Sequence, residues 1–141
     1  MRGAHDGDPD SSVYEGLAAF RYALRRFLAF SEAATEAAGV TSHQYQALLV
    51  IRVHPDEAIM IRALAEQMLV QHHSAVQMID RLVRAQLVER RESPSDRRSV
   101  LVVLTAKGTK LLARLASEHF AELRRQEPLI VESLKRLRHV R

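Results

Sequence analysis

Arg97 and Arg98 stand at the end of a polar turn, Ser93-Pro-Ser-Asp96, that leads straight into the apolar run from Ser99 to Leu104. A guanidinium carried on such a fingertip is held away from any core. Its charge and planar fork suit a narrow, negative groove, such as the minor groove of DNA. Asp96 is expected to hold one of the two arginines in place through a charge-assisted hydrogen bond. Upstream, between His72 and Ala85, the spacing of Ala75, Met78, Ile79 and Leu82 predicts one buried helical face. The opposite side then carries His72, His73, Ser74, Val76, Gln77, Arg81 and Arg84. Serine and glutamine side chains hydrogen-bond to base edges, a valine touches a thymine methyl, and arginines further along meet phosphate. The plainer alternatives are a solvated turn with a weak ion pair and an ordinary amphipathic helix with a polar outer face.

The elements around these residues follow from punctuation and period. Ser12 with Glu15 predicts a capping box, followed by the helical stripe Leu17, Phe20, Leu24, Phe27 and Ser31, ending at Gly39. Thr41 with Gln44 predicts a second capping box, and His54-Pro55 stops the helix behind it. Ala58 to Met60 reads as a short strand and Arg62 to Met68 as a short helix. Leu87 to Glu92 and Ser99 to Leu104 read as two strands of a hairpin, the second with both faces covered. Thr105 is expected to cap a long helix with the stripe Leu111, Leu112, Leu115, His119 and Leu123. Pro128 is expected to open a separate final helix. The terminal helices carry more apolar surface than one small core covers, so a second copy of the chain is expected to hide it.

Composition removes several classes of function. The 141 residues include no cysteine, which excludes disulfides, thiolate metal sites and thiol redox sensing. No apolar run approaches the ~20 residues of a membrane span. Residues 1–11 are polar and acidic, without a signal core, and are expected to be a disordered lead-in to a cytoplasmic protein. The net charge of +4 is compatible with nucleic acid, and Arg81, Arg84, Arg90, Arg91, Arg97 and Arg98 crowd into one module. No phosphate loop, nucleophile elbow or paired-acid motif appears, so no enzyme and no cofactor is expected. His72 and His73 are adjacent and point about 100° apart on a helix, while His43, His54 and His119 are isolated, so no metal site is expected.

The order of these pieces is specific. Thr41 with Gln44 and Leu48, then Leu64-Ala-Glu66, Ile79-Asp-Arg-Leu82, Leu87-Val-Glu-Arg90, Asp96-Arg97-Arg98, Leu104-Thr105 and Gly108 resemble the MarR family of bacterial transcriptional regulators, from about Val13 to Leu137. The resemblance implies a mainly α fold with a small β-wing: a winged helix-turn-helix lobe at about 41–104, flanked by dimerisation helices at about 12–38 and 106–141, in one domain spanning 12–141. It further implies a homodimer on a palindromic operator in double-stranded DNA, acting as a repressor. The helix 72–85 would enter the major groove and Arg98 the adjacent minor groove. By the same resemblance, a small-molecule effector would use residues of the kinds found at Phe20, Tyr22, Phe27, Phe30, Tyr45 and Arg52.

The chain departs from the family pattern at four places. Leu69 and Gln86 stand where glycine is usual, Gln71 where a small capping residue is usual, and Gln77 where a basic residue is frequent. Altered turns are therefore expected on both sides of the helix 72–85. Two alternatives stay open at this point: a winged-helix dimer working through protein contacts without DNA, and a metal-responsive regulator.

Overall fold

The computed structural model describes residues 7–140. Most of the expected lead-in, residues 1–6, lies outside the described residues. Backbone contacts divide the chain into two compact units. One is a lobe of residues 32–118, and the other joins the two ends of the chain, up to Ser31 and from His119 onward. The division falls within two long helices, α1 (Ser11–Ala37) and α5 (Ala106–Arg138).

Within the lobe, α1 stops before Gly39, whose φ of +81° suits glycine. Helix α2 (Ser42–Val53) opens on the predicted capping box. The Gln44 amide donates to the Thr41 hydroxyl (3.0 Å), and the Thr41 amide donates to the Gln44 side chain (2.9 Å). Pro55 ends it. The following turn holds Asp56 and Glu57 at φ 60° and 54°, supported by an Arg52–Glu57 ion pair and by the His54 ring nitrogen lying 2.8 Å from the Ala58 carbonyl oxygen. Then come β1 (Ala58–Met60), α3 (Ile61–Met68), α4 (His72–Arg84), β2 (Val88–Glu92) and β3 (Val100–Leu104). The strands form one antiparallel sheet in the order β1-β3-β2. Val102 pairs with Ile59 on one side and Arg90 on the other, which seats it at the buried centre. The core is aliphatic: Leu48, Ile51, Ile59, Leu64, Ile79, Leu82, Val102 and Leu115 are all fully buried, with Tyr45 beside them.

Helix α5 starts against the end of α4. The Thr105 hydroxyl donates to the Gln86 carbonyl (2.7 Å) and accepts from the Gly108 amide (3.0 Å). The Thr105 amide donates to the Leu87 carbonyl (3.1 Å), and Lys107 Nζ donates to that of Ala85 (3.0 Å). A Cβ on Gly108 would lie 2.0 Å from the Leu87 oxygen, so only glycine fits this crossing.

In the unit of chain ends, α1 and α5 pack through small or polar buried positions. A Cβ on Gly16 would lie 2.6 Å from a Leu137 methyl, and His119 Nε2 lies 2.8 Å from the Ser31 hydroxyl. The rings of Phe27 and Phe30 meet His119 edge-on at 6.1 and 5.6 Å. Large apolar side chains remain outside: Tyr14, Leu17, Tyr22, Phe120 and Leu123 are each more than two-fifths exposed. Among the described residues no helix is long and apolar enough to cross a membrane.

Four expectations need correction. Asp10, not Ser12, opens α1: its carboxylate accepts from the Ser12 amide (2.9 Å) and hydroxyl (2.8 Å), which lowers its pKa below the usual value. A carboxylate one position before the first helical turn out-competes a hydroxyl already inside it. Pro128 opens no new helix and lies inside α5. The buried positions 115, 119, 126 and 133 continue across it at a spacing of four and seven, so packing carries the helix past the lost hydrogen bond. The two faces of β3 are covered unequally: Val102 is buried, while Leu101 and Val103 are half-buried and line an open cleft with His54, Pro55 and Pro94. Finally, the turns are not remodelled. Leu69 (φ 56°) and Gln86 (φ 62°) adopt the left-handed conformation that glycine takes at little cost.

Leu69 is 93% exposed, so it gains almost nothing from burial to offset the left-handed backbone. Leu69→Gly should therefore stabilise the fold by about 0.5–1 kcal/mol, after allowing for the extra freedom of glycine in the unfolded chain. Thermal unfolding followed by circular dichroism should show a Tm raised by about 2–4 °C. A lower Tm would mean that the leucine side chain contributes something that its exposure does not reveal.

Candidate nucleic-acid interface

Helix α4 buries Ala75, Ile79 and Leu82 against the lobe core, as its period requires. The sites expected on its other face are all at the surface: His72, His73, Gln77, Arg81 and Arg84 are exposed, and Ser74 and Val76 half-buried. At 100° per residue they separate into a crest and two flanks. His73, Gln77 and Arg84 form the crest, directly opposite Ala75. Ser74 and Arg81 fall on the flank facing α2, where they line a cleft with Gln77, Met78, Thr41, His43 and Gln44. Val76 and Asp80 fall on the flank toward β2, where Asp80 holds Arg90 at 2.5 Å. His72 sits apart from the crest, in a separate cleft with Arg62, Glu66 and Leu69. The N-cap, Gln71, makes no side-chain bond to the helix.

The basic crowd read from the sequence thins out in three dimensions. Arg90 is paired with Asp80 and Arg91 with Glu89, and Arg84 Nε donates to the Asp80 carbonyl at 3.3 Å. Arg81, Arg97 and Arg98 enter no ion pair among the described residues and are exposed. His43 joins the site although sequence reasoning passed over it as isolated. Its place in the first turn of the capped helix α2 was the signal available.

At the wing tip Asp96 acts on backbone rather than on a guanidinium. Its Oδ1 accepts from the Arg98 amide (2.9 Å), its Oδ2 from the Ser99 hydroxyl (3.1 Å), and its carbonyl from the Ser99 amide (3.1 Å). Ser93 and Ser99 close the hairpin below, amide to carbonyl, at 3.0 Å. A short carboxylate reaches an amide two residues on more easily than a mobile guanidinium. The turn is thus pinned while both arginine heads stay open to solvent.

A further cleft of about 400 Å³ lies at the joint of α4 and α5. Its walls are largely apolar, from Val40, Ala85, Leu87 and Leu111, with Lys107, Lys110 and Arg114 around them. The residues considered for an effector do not line it: Tyr45 is in the lobe core, Arg52 pairs with Glu57, and Phe27 and Phe30 meet His119. Burial raises the Tyr45 hydroxyl pKa above its ordinary value. Among the described residues no three His, Asp or Glu side chains are grouped so as to hold a metal ion.

A three-helix lobe with a two-strand wing and a third short strand is a winged helix-turn-helix. The model of the MarR family matches residues 38–99. An uncharacterized HTH-type transcriptional regulator of Bacillus subtilis, YhbI, is 32% identical over 80 residues. That match covers 57% of this chain and 51% of the relative, so the chain spans about half the length of the curated relative it matches. AbsC of Streptomyces coelicolor, a MarR family transcriptional regulator, has the same fold at a TM-score of 0.75 and 24% identity, over 97% of this chain and 90% of that one. A mutant MarR from E. coli, solved in complex with operator DNA, matches at a TM-score of 0.62 and 25% identity, over 73% of this chain and 75% of that one. The chain thus resembles the MarR family over residues 38–99 and shares the winged helix-turn-helix fold of its solved members.

The role of Asp96 in the wing is open to a direct check without DNA. Asp96→Ala removes two side-chain acceptors from the turn and should speed trypsin cleavage at Arg97 and Arg98 several-fold, while Asp96→Asn, which keeps one acceptor oxygen, should stay closer to the native rate. Equal cleavage of all three proteins would show that the hairpin strands alone order the tip.

Proposed function

We propose that this protein is a sequence-specific DNA-binding transcriptional regulator, a cytoplasmic repressor that acts as a homodimer on a palindromic operator. The observation that carries the reading is the pairing of an exposed crest on α4 (His73, Gln77, Arg84) with a wing whose turn is pinned by Asp96 and whose Arg97 and Arg98 have no ion partner among the described residues. The crest carries side chains able to read base edges in a major groove. Arg98 reaches a neighbouring minor groove, where a guanidinium gains from the concentrated negative potential. The E. coli relative solved with operator DNA supports the same use of the fold. The exposed apolar residues of α1 and α5 support the dimer, because stripes of this size are costly to leave in water. Two copies would present two α4 helices to half-sites about one helical turn of DNA apart.

Control by a small molecule is the finer part of the proposal. The cleft at the α4–α5 joint, apolar inside and cationic at its edge, suits a lipophilic anion. Such a ligand regulates by binding the DNA-ready and DNA-unready forms with different affinity.

The test is fluorescence anisotropy of a labelled duplex from the protein's own upstream region, across a salt series. Wild-type protein should bind tightly, with affinity falling steeply as salt rises. Arg98→Ala should weaken binding by about tenfold or more and leave the circular dichroism spectrum and dimer mass unchanged, since the tip is exposed. A mutant that binds like the wild type would remove the wing from the interface. No binding by the wild type to this or to random duplex at low salt would favour a winged-helix dimer that works through protein contacts.

A further inference from the structure

A helix is about 10–12 Å across with its side chains, close to the ~12 Å width of the major groove. The two sugar-phosphate strands that wall the groove must then run along the two flanks of a helix seated in it. The flanks of α4 are not alike. On the β2 side, Asp80 is paired with Arg90, so that flank presents a neutralised pair. On the α2 side lies a cleft of about 350 Å³ whose polar lining is Thr41, His43, Gln44, Ser74, Gln77 and Arg81. Thr41 and Gln44 are already committed to each other in the capping box. The side chains of His43, Ser74 and Arg81 are engaged in no hydrogen bond or ion pair among the described residues. Among the described residues Arg81 has neither a carboxylate nor a carbonyl partner, whereas Arg84, the other arginine on α4, donates to the Asp80 carbonyl. The cleft thus gathers a free guanidinium, an imidazole and a hydroxyl from two helices, beside the base-reading crest and sharing Gln77 with it.

We propose that this α2–α4 cleft seats a phosphate of the DNA strand bordering the major groove, held by Arg81 and Ser74 from α4 and by His43 from α2. The inference rests on the reading of α4 as the groove helix and adds α2 to the interface. His43 becomes a positioning residue: it fixes how far α4 sits along the groove without touching a base. Phosphate contacts set register and carry no sequence information, so their loss has a signature different from that of a base contact.

The experiment measures anisotropy salt series for wild type, Arg81→Gln, His43→Ala and Arg98→Ala, each on the upstream duplex and on a random duplex of equal length. Arg81→Gln should weaken both duplexes by the same factor, about tenfold at moderate salt, and reduce the slope of log affinity against log salt by about one. His43→Ala should weaken both equally, by about two- to fivefold, as expected for loss of a single phosphate contact. If the wild type binds and Arg98→Ala weakens it, but Arg81→Gln and His43→Ala leave affinity and slope unchanged, the cleft proposal is overturned and the groove reading stands. If Arg81→Gln weakens only the upstream duplex, Arg81 reads a base and the phosphate role is wrong. If the wild type binds neither duplex, both readings fall together. All three side chains are at the lobe surface, and matching thermal melts will show that the variants are folded.

Discussion

The lobe depends on one close crossing, where the first turn of α5 meets the backbone that leaves α4. A Cβ on Gly108 would collide with the Leu87 carbonyl at 2.0 Å, and the Thr105 hydroxyl bridges the Gln86 carbonyl to the Gly108 amide. Lys107 closes the same joint on Ala85. The three consecutive carbonyls of Ala85, Gln86 and Leu87, between α4 and β2, are therefore tied to the start of α5. The direction in which α4 points, and the place where the wing hairpin departs, both follow from that joint. Rigid elements transmit small shifts because packed contacts have few alternative arrangements. The apolar cleft with its three cations lies on the same joint, so an occupant would act where α4 and α5 are coupled.

The surface of α4 and the wing separates charges paired within the fold from charges left unpaired among the described residues. Arg52, Arg90 and Arg91 are each consumed by a neighbouring carboxylate. Such exposed pairs contribute only about 0–1 kcal/mol each, but they decide which cations stay free. Asp96 does the converse at the wing: it engages amides and a hydroxyl, orders the tip, and leaves both guanidinium heads uncommitted. What remains is a crest on α4, a cleft beside it and two arginines at the wing tip.

The unit of chain ends follows a different logic. Its buried positions are small or polar, as at Gly16, Ala23, Ser31, Gln126 and Ser133, so α1 and α5 approach closely and push large apolar side chains outward. The outcome is a unit that leaves large apolar side chains on its surface.

The helices, the strands, the capping box at Thr41, the cap at Thr105 and the burial of Ala75, Ile79 and Leu82 were legible in the sequence, because each depends on period or on contacts a few residues apart. The exposed residues of α4 and the wing tip were legible for the same reason. The family pattern added their order. What the sequence could not determine is which charges are spoken for, since Asp80 reaches Arg90 ten positions away and the His43–Arg81 cleft joins two helices. Nor could it determine that Pro128 stays inside α5, that Leu69 and Gln86 hold the left-handed turns without glycine, or that the two faces of β3 are covered unequally. At Pro128, Leu69 and Gln86 the tertiary structure outweighed a local preference of about 1–3 kcal/mol. Tertiary structure alone decided them, because such contacts leave no trace in local spacing.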